Sequence, residues 1–134
     1  MVNRPLHIAC VGEAMVELPR PGQSSAHFAV SGDTLNAAIY LRRALPQAHC
    51  VSFVTALGRD PLSERMLTFM ASEGIETTDI SRNPDLLPGL YMIMNSADGE
   101  RNFLYWRDNS AAKVMFGAQA FDFSALQRFD VIYA

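Results

Sequence analysis

Three stretches of this 134-residue sequence carry side chains at spacings that suit chemistry. The first is Gly12-Glu13, a carboxylate directly after an apolar run, at the strand end where open α/β sheets bind ligands. Glu13 reads equally well as a solvated residue of a simple turn. The second is Ser31-Gly32-Asp33-Thr34-Leu35-Asn36. Its glycine lets the backbone approach a ligand closely, and Asp33 and Asn36 share one side of a helix's first turn. A carboxylate beside an amide can accept from and donate to neighbouring sugar hydroxyls. The bland alternative makes Asp33 a helix cap only and leaves Asn36 on the surface. The third group is Tyr91, Tyr105 and Arg107, which a β-hairpin would bring to one face. A guanidinium between phenols suits a bidentate carboxylate or phosphate. Here the competitor is a solvated charge beside aromatic cross-strand packing.

These groups need elements to position them, and the pattern supplies strands alternating with helices. His7 to Val11 is a short apolar run closed by Gly12, as in a buried parallel strand. Ala26 to Val30 is a second extended candidate between Pro/Gly-rich flanks. From Thr34 to Leu45, apolar positions recur at helical spacing, with Asp33 able to cap and Pro46 to stop the run. Cys50 to Leu57 reads as a strand. Asp60 then serves as N-cap and Pro61 as first helical residue, with Leu62, Met66, Phe69 and Met70 as the apolar stripe and Gly74 at the far end. This order predicts an α/β fold with a parallel sheet flanked by helices.

Residues 90 to 107 depart from that order. Two strand-like runs, Leu90 to Met94 and Asn102 to Trp106, flank Ser96 to Glu100, whose Asp98-Gly99 is a hairpin signal. A five-residue loop sets Tyr91 opposite Tyr105 and Gly89 opposite Arg107; a one-residue slip would set Tyr91 opposite Leu104. The tail offers a helix near Phe123 to Arg128 and a core-type strand over Asp130 to Tyr133.

Composition narrows the classes. With 49% hydrophobic and 19% charged residues, the chain is neither a disordered tail nor a charged linker. A net charge of −3 leaves no basic surplus for nucleic acid. There is no apolar run long enough to span a bilayer and no signal-peptide pattern. Cys10 and Cys50 read as reduced thiols of a cytoplasmic protein. Walker-type, GxGxxG, HExxH, CxxC and Gly-x-Ser-x-Gly motifs are missing, and the scattered histidines argue against metal ligation.

Taken in order, the segments are more specific than any is alone. Gly12-Glu13-Ala14-Met15-Val16-Glu17-Leu18, Gly32-Asp33-Thr34-Leu35-Asn36 and Val54-Thr55-Ala56-Leu57-Gly58-Arg59-Asp60 resemble the ribokinase-like carbohydrate kinases of the phosphofructokinase B type. Leu87-Pro88-Gly89-Leu90-Tyr91, Gly99-Glu100-Arg101 and Tyr105-Trp106-Arg107 are similar to the branch acting on 2-keto-3-deoxygluconate. The resemblance implies a ribokinase-like parallel sheet with a small β-sheet lid, its strands at about 14–31 and 87–108. It implies that Gly32, Asp33 and Asn36 hold sugar hydroxyls, and that Tyr91, Tyr105 and Arg107 close over the substrate, with Arg107 on its carboxylate. Ser31 departs from the family's usual second glycine, and Leu104 from a common aromatic residue.

The family's Gly-Ala-Gly-Asp motif, which carries the catalytic Asp, does not occur in this sequence. The resemblance therefore implies the N-terminal part of a kinase that uses ATP and Mg²⁺, inactive alone, with a lid that can pair copies into a homodimer. Its expected partner is a small sugar acid rather than nucleic acid or a membrane. The alternatives are a kinase for fructose or another neutral sugar, and a non-catalytic sugar-binding or dimerisation fragment.

Overall fold

The computed structural model describes residues 4–20, 22, 29–117 and 121–134. In chain order the strands and α-helices are β1 (His7–Val11), β2 (Met15–Leu18), β3 (Ala29–Ser31), α1 (Asp33–Ala44), β4 (Cys50–Leu57), α2 (Pro61–Ser72), β5 (Ile80–Arg82), β6 (Gly89–Asn95), β7 (Arg101–Trp106) and β8 (Val131–Tyr133). Short 3₁₀ turns cover Ala111–Val114 and Phe123–Arg128.

Two four-stranded sheets result. The first has the order β5-β4-β1-β8 and is parallel throughout. β4 is buried from Val51 to Leu57, Ser52 and Thr55 included, so its mostly apolar sequence reflects cover on both faces. On one side Phe53, Leu57 and Val51 pack with Leu35, Ala38 and Ile39 of α1 and Met66 and Met70 of α2. On the other, Ala9, Val11, Val54 and Ala56 meet Ala111 and Met115.

The second sheet has the order β3-β2-β6-β7. β2 runs parallel to β6, while β3 and β7 pair antiparallel on the outside. Tyr91 lies opposite Tyr105, the expected register, and the loop is 96–100. Every residue of β7 is exposed, including Phe103, Leu104, Tyr105 and Trp106, because β7 is an edge strand.

α2 begins as its sequence predicts. The Asp60 carboxylate accepts from the backbone N–H groups of Leu62 and Ser63 at 3.0 and 3.1 Å and from the Ser63 hydroxyl at 2.7 Å, with Pro61 at the start. These hydrogen bonds hold its carboxyl below the usual carboxylate range, although burial opposes them.

α1 differs. Gly32, not Asp33, is the N-cap, and Asp33 is the first helical residue with no side-chain capping bond made at that end. Its stripe position Arg42 is buried and donates to the carbonyls of Leu45 and Pro46, both at 2.8 Å, and of His49, satisfying acceptors where the helix stops.

Other expectations shift as well. The extended candidate at 26–30 is strand only from Ala29, and 26–28 lie outside the described residues. Phe123–Arg128 is 3₁₀ rather than α-helical. β8 pairs with β1 but sits at the sheet edge, leaving Val131, Ile132 and Tyr133 about half exposed rather than in the core. Cys10 and Cys50 are free thiols, and burial pushes Cys10 up to about 11.

Candidate functional site

The end of β3, the first turn of α1 and residues of β2, β6 and β7 meet at one cavity of about 210 Å³. Gly32, Asp33, Tyr91, Tyr105 and Arg107 line it, together with Met15, Ser31 and Phe103. Five of the six residues predicted from the sequence thus share one wall-to-wall space. Asn36 does not line it: its amide nitrogen lies 3.5 Å from the Ser31 hydroxyl, at the long limit of a hydrogen bond.

Gly32 shapes the floor. Its φ of +150° disfavours any L side chain, and a Cβ there would sit 2.4 Å from the backbone oxygen of Glu13. Its carbonyl accepts the Asn36 backbone N–H at 2.8 Å and so starts the helix. Asp33 is exposed, and among the described residues its carboxylate has no hydrogen-bond or ion-pair partner. Its oxygens remain available to hydroxyl donors at the positive end of α1.

Arg107 is the one cation among the described residues lining the cavity. Its Nη2 lies 2.5 Å from Glu13 Oε2; the Arg107 side chain is 40% exposed and that of Glu13 only 9%. Glu13 Oε1 accepts from the Ser110 hydroxyl at 2.6 Å. The Arg107 Nε is buried without a hydrogen-bond partner, so the guanidinium keeps unused donor capacity.

Tyr91 is buried, and its hydroxyl donates to Glu17 Oε2 at 2.5 Å. Burial, reinforced by that hydrogen bond, pushes its phenol up to about 12, while the Ser31 hydroxyl opposes the rise. Tyr105 stands over it with ring centroids 6.2 Å apart, and Phe103 stacks on Tyr105 at 6.0 Å. The three rings form an apolar wall with Tyr105 half exposed at its mouth.

The Tyr91 shift has a measurable consequence. Between the ordinary phenol value of 10.0 and about 12, the unfolded chain loses this proton before the folded one does. The stability it contributes is complete below that window and is lost as pH rises through it. Denaturation midpoints against pH are expected to fall less steeply there for Tyr91→Phe than for the parent; identical slopes would count against a buried, protonated phenol.

Glu17 and Phe103 lie outside the residues that type and spacing single out. Period-two alternation along Met15–Glu17 was the available signal, since it sets Met15 and Glu17 on the face that Tyr91 meets across the β2–β6 pair. A larger apolar hollow of about 570 Å³ lies between β3 and α2, lined by residues including Val30, Thr68 and Phe69. Its described lining residues bring Arg65, Thr68 and Ser72 but no carboxylate or phenol, so the smaller cavity, which has both beside Arg107, is the better candidate.

Comparison with known proteins bears on this arrangement directly, because the profile of the pfkB family carbohydrate kinases matches residues 6–134. The chain belongs to that family. Among curated relatives, this pfkB-family chain is 42% identical over 130 residues to the 2-dehydro-3-deoxygluconokinase of Dickeya dadantii, covering 95% of this chain and 42% of that protein. It is 43% identical over 131 residues to the enzyme of the same name from Haemophilus influenzae, covering 94% and 41%. The chain therefore spans about two fifths of the length of these relatives.

Solved structures agree on architecture. A fructokinase from Xylella fastidiosa superposes with a TM-score of 0.76 at 25% identity, over 94% of this chain and 39% of that one. The 2-dehydro-3-deoxygluconokinase of Thermotoga maritima gives 0.77 at 23% identity, over 95% and 40%, a likeness of fold.

Proposed function

We propose that the intact protein carrying this pfkB-family chain is a sugar-acid kinase that transfers the γ-phosphoryl group of ATP to the 6-hydroxyl of 2-keto-3-deoxygluconate. The chain would supply the lid and part of the substrate site. The carrying observation is the cavity where the partly exposed Arg107 shares the walls with the Asp33 carboxylate, which has no partner among the described residues. One end can take a carboxylate and the other can take hydroxyls. The names of the curated relatives support the same substrate.

In this reading Asp33 accepts from sugar hydroxyls and the Gly32 turn brings backbone close to the ring. Tyr91 and Tyr105 pack on the carbon skeleton, and Arg107 pairs with the carboxylate. The second sheet, β3-β2-β6-β7, acts as the lid that limits water at the site. Its exposed β7 edge suits pairing with a second copy.

ATP and Mg²⁺ belong to the proposed whole enzyme. Among the described residues no group of three or more His, Cys, Asp or Glu converges. The free thiols suit a cytoplasmic setting.

A neutral-sugar kinase is the second reading, favoured by the likeness to the Xylella fructokinase. Steady-state phosphorylation by the intact protein with MgATP separates the two. The sugar acid is expected to exceed fructose in kcat/KM by about a hundredfold, and a preference for fructose would overturn the assignment. The 134-residue chain alone is expected to give no turnover above a no-enzyme control.

A further inference from the structure

Glu13 sits behind the proposed site rather than in it. It follows β1 in the parallel sheet's layer, while its side chain reaches to the base of the second sheet and is almost wholly buried there. One oxygen, Oε2, has no hydrogen-bond partner among the described residues and forms an ion pair with Arg107 Nη2 at 2.5 Å, and the other takes the Ser110 hydroxyl at 2.6 Å. Gly89, at the start of β6, leaves the room: a Cβ there would lie 2.5 Å from Glu13 Oε1 and 3.2 Å from Arg107 Cβ. The carboxylate thus occupies a slot made by Gly89, Ser110 and Arg107. Glu13 is not among the residues lining the cavity, whereas Arg107 is.

We infer that Glu13 is a positioning residue for Arg107, fixing one edge of the guanidinium so that its remaining N–H groups face the substrate carboxylate. The inference rests on the sugar-acid reading above. An arginine side chain samples many rotamers when free, and a ligand that must order it binds less tightly. Glu13 orders it in advance. The carboxylate also offsets part of the Arg107 charge, which opposes anion binding. Orientation outweighs this second effect because Arg107 is 40% exposed, where water already screens the charge.

The test is steady-state kinetics of the intact kinase with Glu13→Ala, Glu13→Gln and Arg107→Leu, alone and combined, on 2-keto-3-deoxygluconate and on fructose. Glu13→Ala is expected to raise KM for the acid about tenfold with kcat changed less than about twofold, the pattern of lost binding rather than lost chemistry. Glu13→Gln, which keeps an oxygen acceptor, is expected to stay within about threefold of the parent. Fructose KM should move by less than about threefold in either variant, and Glu13→Ala should add nothing in the Arg107→Leu background. If Glu13→Ala does not fold, Glu13→Asp, which withdraws the carboxylate by one methylene, carries the same expectation for the acid.

Tighter acid binding in Glu13→Ala would make Glu13 a competitor for Arg107 and overturn the inference. Equal losses for both sugars, or a loss that persists without Arg107, would mark a merely structural role and overturn it too. A parent enzyme indifferent to the carboxylate would instead bring down the sugar-acid reading, a result visible before any Glu13 variant is measured.

Discussion

Arg107→Leu in the intact kinase is expected to weaken binding of the sugar acid by about 1.5–3 kcal/mol, or roughly 10- to 150-fold in Kd. Arg107 is the one cation among the described residues lining the cavity, so no described neighbour there can take over a carboxylate. Its side chain is 40% exposed, so a ligand carboxylate can reach the guanidinium from the cavity. The lower end of the range applies if the bound complex leaves the guanidinium as open as its present 40% exposure; closure of the second sheet moves the effect upward. Arg107→Lys keeps the charge but loses the planar fork, and should fall between leucine and the parent. Calorimetry with the acid and with fructose reads both arms. Fructose should barely register the change, and equal losses for both ligands would remove the carboxylate from the account. Because Arg107→Leu strips Glu13 of its cation, denaturation midpoints belong beside the titrations; Glu13 would still hold the Ser110 hydrogen bond.

Where local chemistry decides, the sequence is readable. Asp60 followed by Pro61 specifies its helix start without help from the rest of the chain, and the cap bonds form as expected. The Asp98-Gly99 turn and side-chain alternation set Tyr91 opposite Tyr105, which in turn delivers Tyr91, Tyr105 and Arg107 to one cavity. The start of α1 was harder, because Gly32 and Asp33 are both good helix-start residues. The choice was made by the backbone of Glu13, which approaches position 32 too closely for a side chain. Asn36 is similar: spacing sets it near Asp33, yet it does not line the cavity, and its amide nitrogen only comes within 3.5 Å of the Ser31 hydroxyl that does. β5 has three residues and shows no period at all; it exists because β4 offers it a partner edge. The pairs Glu13–Arg107 and Tyr91–Glu17 join residues far apart in the chain, and no local pattern encodes them. The site residues were therefore legible as types, while the contacts that aim them became visible only with the fold.

Gly32→Ala should be the most damaging single methyl group in the site. Two costs combine at this position. A φ of +150° is a region that an L residue enters only under strain, worth about 1–3 kcal/mol, and the new Cβ would fall 2.4 Å from the Glu13 carbonyl oxygen. That neighbour is backbone, tied into the chain between β1 and β2, so it cannot swing aside as a side-chain tip would. The expected loss is about 2–4 kcal/mol of stability, or on the order of 10 °C in Tm. Gly99→Ala is the matched control: φ is +86°, yet nothing lies within 4 Å of the new Cβ, so only backbone strain remains, about 1 kcal/mol. The two variants should also separate in function. Relief of the Gly32 clash must move either the first turn of α1, with Asp33, or the segment carrying Glu13 and hence the anchor of Arg107. Either motion loosens the site, so Gly32→Ala should raise KM for acid and neutral sugars alike, unlike Arg107→Leu, which should discriminate between them. Denaturation midpoints and KM values for the two glycine variants decide it, and equal behaviour of Gly32→Ala and Gly99→Ala would show that position 32 is not where α1 and the Glu13 backbone lock together.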